Sequence, residues 1–409
     1  MISNTLEKWE EKTLVELCNI EIGKTPSRSN IKFWDKTRST NNTWLSIADL
    51  NNTQNKKVFS SKEQISDLAT QYMKLVKEGT LLLSFKLTIG RVAFAGKDLY
   101  TNEAIAQLPI KNEQKIDKHY LYYYLQYFDY EELLKGDVKV KGKTLNKKKL
   151  KGLPVCYPPL PEQERIVAKL DEAFEAIDKV KANAEQNLPN ARELFEIYLE
   201  KTFTNSIAHY EIKSLSDIAA IKGGKRLPKG KSLIKTKTNH PYLRVTDFSN
   251  NGTIDVSDLH YISEDIYNII KNYTITSEDL YITIVGATIG KSGIIPKELD
   301  GANLTENACK LIFKGNISNK YVYYFTKTKS FNEQSLGNIK IAAVPKLALT
   351  RLATIKLPIP DIEKQKQIVD KLDKFQEQTK QLEAIYTQKI KECDELKQSI
   401  LQKAFRGEL

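Results

Sequence analysis

Pro158-Pro159-Leu160-Pro161-Glu162-Gln163-Glu164-Arg165-Ile166-Val167 has a counterpart half a chain later in Leu357-Pro358-Ile359-Pro360-Asp361-Ile362-Glu363-Lys364-Gln365, which leads to Ile368-Val369. In both stretches the prolines impose an extended approach and are tolerated only in a helix's first turn, and the acids that follow suit the positive end of a helix dipole. Each stretch therefore opens a helix. Downstream the copies stay in register: Ile166-Val167, Leu170-Asp171, Leu194, Leu199, Lys201 and Phe203 recur as Ile368-Val369, Leu372-Asp373, Leu396, Leu401, Lys403 and Phe405, always 202 positions later. A single period near half the length excludes a stacked solenoid, which needs at least three short repeats. The chain is two copies of one unit.

Within the first helix the apolar positions Ile166, Leu170, Ala173, Ile177, Val180, Ala184, Leu188, Ala191, Leu194 and Tyr198 follow one another at steps of three and four. Leu372, Phe375, Thr379, Leu382, Tyr386, Cys393, Leu396 and Ile400 continue the pattern in the second, with Glu, Lys, Gln and Arg on the other faces. Each segment covers roughly 40 residues, so about 60 Å at 1.5 Å per residue, too long to be buried in a small domain. The two helices are expected to pair as an antiparallel coiled coil. Its expected seam comprises Ile166, Leu170, Ile177, Val180, Leu194, Leu372, Phe375, Leu382, Leu396 and Ile400. Pro189 is expected to bend or break the first helix, because a proline there removes a hydrogen bond.

The regions upstream of each helix repeat more loosely. Ile22-Gly23-Lys24-Thr25-Pro26 answers to Ile221-Lys222-Gly223-Gly224-Lys225, Thr88-Ile89-Gly90-Arg91 to Thr288-Ile289-Gly290-Lys291, and His119-Tyr120-Leu121-Tyr122-Tyr123 to Lys320-Tyr321-Val322-Tyr323-Tyr324. The chain has 409 residues, beyond the ~250 to 300 at which one core stops growing. The expected order is a globular module over residues 1–157, a helical region over 158–208, a second module over 209–356 and a second helical region over 357–409, a pseudo-twofold internal duplication. Buried strands are expected at 79–85 and 279–285, and short helices at 118–126 and 319–326, where the tyrosines read as core. No regular alternation of strand and helix appears, so the modules are expected to be α+β rather than doubly wound.

Composition narrows the function. Lys and Arg number 63 against 51 Asp and Glu, a net charge of +12, which favours a polyanionic partner. No apolar run would span a bilayer and the start carries no signal-peptide pattern, so a cytoplasmic protein is expected. Cys18, Cys156, Cys309 and Cys393 lie far apart and only four histidines accompany them, so neither a disulfide framework nor a metal centre is indicated. Three sequences mimic catalytic motifs. Gly286-Ala287-Thr288-Ile289-Gly290-Lys291-Ser292 has three residues between its glycines where a phosphate-cradling loop has four. Asp171-Glu172-Ala173-Phe174, a helicase-box look-alike, lies mid-helix and recurs only as Asp373-Lys374-Phe375. Tyr157-Pro158-Pro159-Leu160 lacks both the leading Asp or Asn and the trailing aromatic of an amino-methyltransferase tetrapeptide. No catalytic residue is expected.

The proline-rich approaches, acidic first turns, Ile-Val seams and closing Ala404-Phe405-Arg406-Gly407-Glu408-Leu409 closely resemble the conserved regions of the specificity subunit of type I restriction-modification systems. The resemblance covers essentially the whole chain, although the first helix ends Phe203-Thr204-Asn205 without the Gly-Glu-Leu of the second. It implies two target recognition domains, each reading one half of a split, asymmetric site in double-stranded DNA, on helices that set the unread gap. It further implies docking of two modification subunits, which are adenine methyltransferases using S-adenosylmethionine, and of restriction subunits that translocate and cleave. The chain itself would hold no cofactor. A non-catalytic coiled-coil scaffold that binds proteins or other nucleic acid remains the alternative, and in its protein-only form it leaves two basic modules of one design unexplained.

Loops rich in Lys, Arg, Ser, Thr and Asn beside strands offer donors to phosphates and base edges. In the first module the candidates are Lys24, Thr25, Ser27, Arg28, Lys32, Lys86 and Arg91. In the second they are Lys222, Lys225, Arg226, Lys229, Lys231, Lys235, Arg244 and Lys291. A further basic run over 139–151 is expected to follow the DNA backbone.

Overall fold

The computed structural model describes residues 9–134, 138–139, 142–337 and 346–409; part of the basic run at 139–151 lies outside them. The two long helices form at Leu160–Ile207 and Ile362–Phe405. The first runs unbroken through Pro189, contrary to the expected break. Pro189 and Glu185, whose carbonyl loses its helical partner, are both exposed, so water can replace the one missing hydrogen bond.

The chain divides into two compact units, Met1–Ala184 with Gln388–Leu409 and Glu185–Thr387. Each holds one module and a stretch of both helices. In the first unit a six-stranded mixed sheet runs Glu21–Ile22, Ile105–Leu108, Leu81–Ser84, Val92–Ala95, Lys57–Val58, Thr53–Gln54, with a smaller sheet of Tyr100–Thr101, Thr43–Leu45 and Glu63–Gln64. In the second unit four antiparallel strands run Ala219–Gly223, Ala308–Phe313, Leu280–Thr283, Ser292–Gly293, beside a smaller sheet around Pro241–Leu243 and Ala302–Leu304. The strands expected at 79–85 and 279–285 form over the shorter spans Leu81–Ser84 and Leu280–Thr283, which are central in their sheets and wholly buried, since neighbouring elements cover both of their faces. The modules are α+β, as the missing alternation implied.

Ladder register corrects the alignment of the first repeat. Ile22 lies opposite Ala106 and Gly223 opposite Cys309, while Leu83 and Ile282 flank the same two positions from the other side. Gly23 therefore matches Gly224, not Lys222. Hydrogen bonding between strands sets that equivalence, whereas the sequence comparison followed a shared isoleucine.

Each module closes on itself before its long helix begins. Glu10–Thr13 pairs antiparallel with Pro154–Tyr157, and Glu211–Ser214 with Lys356–Ile359. A buried glutamine then fastens module to helix. The Gln163 side chain accepts the Asp117 N–H at 2.9 Å and donates to the carbonyls of Lys115 and Pro158 at 2.9 and 2.8 Å. Gln365 accepts from Ser318 N–H at 2.9 Å and donates to Pro360 at 2.8 Å. The expected short helices are Lys118–Tyr127 and Asn319–Phe325, and their tyrosines pack into the cores as the sequence suggested. In the first unit that core includes Ile166, Leu170, Leu401, Ala404 and Phe405. In the second it includes Leu199, Phe203, Ile368, Val369 and Leu372.

The helices run antiparallel within each unit. Lys181 pairs with Asp394 at 2.6 Å and Lys397 with Asp178 in the first, and in the second Arg192 pairs with Glu383 at 3.1 Å while the Tyr198 and Phe375 rings lie 4.4 Å apart. Ile166, Leu170, Ile177 and Leu372 are buried, and Phe375 and Ile400 are half-buried. Val180, Leu194, Leu382 and Leu396 are instead exposed, 36% to 50%, which corrects their assignment to the seam. Along the middle of the helices the buried residues are Ile177, Ala184 and Ala191 in one and Leu372, Thr379 and Cys393 in the other. These fall seven apart or at a multiple of seven, so a single heptad position lies inside, and mostly small residues occupy it. The other apolar heptad position faces outward. Among the described residues no helix is long and apolar enough to cross a membrane.

Candidate nucleic-acid interface

Both cationic loops leave their modules through a glycine with no room for a side chain. A Cβ on Gly23 would sit 2.3 Å from the Thr101 and Asn102 carbonyl oxygens, and one on Gly224 would sit 2.1 Å from that of Thr305. The following residues, Lys24 and Lys225, donate their N–H groups at 2.8 Å to the carbonyls of Thr101 and Leu304. The Trp44 indole N–H then donates to the Lys24 carbonyl at 3.0 Å, and the Tyr242 hydroxyl to that of Lys225 at 2.8 Å. Backbone geometry thus presents both loops at the same place on their scaffolds. Lys24 and Lys225 are exposed, and Lys225 lies 5.4 Å from the Tyr273 ring.

The loop residues fall into two groups. Lys24, Lys32, Lys222, Lys225 and Lys229 are exposed, Lys86 is half-buried, and none has a carboxylate partner among the described residues. Others are already engaged. Arg28 binds Glu63 through both terminal nitrogens and lies 3.9 Å over the Trp34 ring. Thr25 donates to Glu103, and Arg226 to Glu306 at 2.6 Å; these two glutamates occupy equivalent positions. Lys231 pairs with Asp265 and Lys235 with Asp258 at 2.7 Å. The Lys231 ammonium, with the Ser263 hydroxyl, lowers the Asp265 carboxyl to about 2. Exposed pairs of this sort contribute little to stability because water screens them, so a phosphate can displace the carboxylate. Ser27 shares a hydrogen bond with Ser29 at 2.8 Å.

Arg244, Arg91 and Lys291 face their own chain. Arg244 forks onto Asp247 at 2.6 and 3.1 Å and reaches the Asp258 carbonyl at 3.1 Å, bracing a 3-10 turn. Arg91 donates to the Ile47 carbonyl at 3.2 Å, and Lys291 to that of Phe248. The latter two pin the Thr-Ile-Gly turns, whose Gly90 and Gly290 adopt φ of +88° and +85°. That conformation is open to glycine at no steric cost. Each turn also holds a left-handed residue just before it, Gly286 in one unit and the exposed Leu87, φ +63°, in the other.

Sequence reading missed Lys36, Arg38 and Lys62, which line a pocket of about 360 Å³ with Arg28 and Trp34. It also missed the acids Glu63, Glu103 and Glu306. The basic residues were visible in the sequence, but their convergence depends on a loop conformation that no local pattern announces. Among the described residues no group of His, Cys, Asp and Glu could hold a metal ion.

The family described as "Type I restriction modification DNA specificity domain" matches residues 6–188 and 208–392. The chain is similar to the type I restriction enzyme EcoBI specificity subunit of Escherichia coli, 24% identical over 371 residues that cover 83% of this chain and 77% of that one. It is equally similar, 24% over 339 residues, to the MjaVIII specificity subunit of Methanocaldococcus jannaschii, covering 77% and 78%. Among solved structures it resembles the HsdS subunit of Thermoanaerobacter tengcongensis, with TM-score 0.62 and 18% identity over 98% of this chain and 97% of that one. A chain from a study of complex assembly and conformational transition of the type I R-M system superposes with TM-score 0.74 and 17% identity over 98% of both. At these identities the structural likeness concerns the fold.

Proposed function

The chain belongs to the type I restriction modification DNA specificity family, and from that membership we propose that it is the DNA-reading subunit of a type I restriction-modification complex. Each module reads one half of a bipartite, asymmetric duplex site. The paired helices set the unread gap and dock the modification subunits, in which adenine methylation and its S-adenosylmethionine reside. Restriction subunits join that assembly to translocate and cut.

The observation that carries this reading is the repeated loop exit at Gly23 and Gly224, which offers exposed lysines from equivalent places on two modules. Two readers of one design suit a site in two halves. Divergent loop residues, Thr25 against Arg226, suit halves of different sequence. Docking is supported by the outward apolar residues, Val180 and Leu396 in one unit and Leu194, Ile197, Leu382 and Ile385 in the other. Apolar side chains grouped on a water-facing helix surface mark contact sites for a partner.

The test is exchange of residues 215–350 for the matching module of a relative, expressed with a modification subunit. Sequencing of methylated adenines is expected to show one half-site changed, with the other half and the gap retained. Both halves changing together would sink independent reading, and labelled methyl transfer to DNA by the chain alone would sink the non-catalytic role.

A further inference from the structure

One loop of the first module is built more rigidly than its composition suggests. Asp35 accepts four hydrogen bonds, from the N–H and hydroxyl of Thr37 at 3.0 and 2.7 Å and from those of Thr40 at 2.8 and 2.9 Å. These bonds hold its carboxyl far below the ordinary range. The loop they close carries Arg38 and Asn41 in the left-handed region, φ +58° and +59°. A non-glycine residue stays there only where its surroundings impose it, and such strain clusters at binding sites. Arg38 is further fixed by one terminal nitrogen donating to the Ser61 carbonyl at 2.9 Å.

Arg38 lines the pocket of about 360 Å³ with three other cations, Arg28, Lys36 and Lys62, and two acids, Asp35 and Glu63. Both acids are already engaged, Asp35 by its own loop and Glu63 by Arg28. Lys36, Arg38 and Lys62 are left without a carboxylate among the described residues. The ligand must therefore be an anion. A stacked base is disfavoured, because the Arg28 guanidinium already lies over the Trp34 ring.

Resting on the DNA-reading function above, we propose that this pocket is a phosphate clamp, in which Lys36, Arg38 and Lys62 grip a backbone phosphodiester beside the half-site read by the first module. A clamp fixes the position of the duplex without reading its sequence. It does so with a donor aimed before DNA arrives.

The test is the salt dependence of duplex binding by the full chain carrying Arg38→Ala with Lys62→Ala, alongside Arg38→Lys. Each lost phosphate contact lowers the slope of log K against log salt by about 0.9. The double variant is expected to lower it by nearly two, with Arg38→Lys close to the parent. The ratio of affinities for a duplex selected by the parent and one scrambled in the first half-site should not change. An unchanged slope in a variant with the parent's melting temperature would overturn the clamp, and a collapsed ratio would make these residues base readers instead. Failure of the parent itself to prefer any split duplex would remove the proposed function, and the clamp with it.

Discussion

The Tyr324 hydroxyl donates to the Asp373 carboxylate, joining the tyrosine-rich helix of the second module to the long helix that follows it, and Tyr123 donates to Asp171 in the same way in the first unit. Burial, reinforced by the bond to Asp373, pushes the Tyr324 phenol far above its ordinary value, so it remains a donor throughout the working range. Loss of one such bond costs about 1 kcal/mol. Tyr324→Phe is expected to lower the unfolding free energy of the second unit by that amount, and Tyr123→Phe that of the first. Calorimetry that resolves the two transitions checks this; equal shifts of both transitions in either variant would contradict separate latches.

Gln365 should matter more. Its amide is buried and satisfies the Ser318 N–H and the Pro360 carbonyl. Leucine of similar volume would leave both without partners, at about 3 kcal/mol. Gln365→Leu is expected to destabilise the second unit far more than Tyr324→Phe, measured in the same denaturant series.

Lys327 offers a stabilising substitution. Burial first, and the neighbouring Lys291 second, push its ammonium down from 10.5 to about 8. Below pH 8 the charge is present in folded and unfolded chains alike, and the folded state bears its desolvation. As pH rises from 8 to 10.5 the folded chain loses that proton first, so the penalty fades. Lys327→Gln, which copies the Gln126 at the matching place in the first module, is expected to add about 2 kcal/mol at pH 7. The gain should vanish by pH 10.5, and thermal melts across that interval measure it.

The outward apolar residues separate docking from folding. Leu194 and Leu382 are 43% and 36% exposed, so Leu194→Glu with Leu382→Glu should change stability by less than about 1 kcal/mol. Binding to the modification subunit is expected to fall at least tenfold in sedimentation analysis. Retained binding would place the docking surface elsewhere.

The seam spacing dictates how a ruler experiment is built. With buried residues every seven positions, seven added residues between Ala184 and Ala191 and between Thr379 and Tyr386 keep small residues inside. They lengthen both helices by about 10 Å, or about three base pairs of duplex at 3.4 Å each. Selection from libraries of varied gap is expected to recover the same half-sequences with a longer gap. An unchanged gap in a folded variant would mean that the helices do not set it.

The sequence by itself determined the duplication, the two long helices, the buried strands and tyrosine helices, and the α+β class. Each rests on local or periodic signals: proline before acids, heptad spacing, and apolar runs bounded by glycine. Tertiary structure alone decided the rest. Val180, Leu194, Leu382 and Leu396 carry the same periodic signal as Ile177, and only the approach of the neighbouring helix selects which apolar position lies inside. Pro189 reads as a breaker until its exposure is known. Arg28, Arg226 and Arg244 read as free donors until the folded chain brings Glu63, Glu306 and Asp258 beside them, two of these from far along the sequence. Arg38 joins a pocket because Asp35 closes its loop. Contacts between residues distant in sequence arise from packing, which leaves no period for a sequence to display.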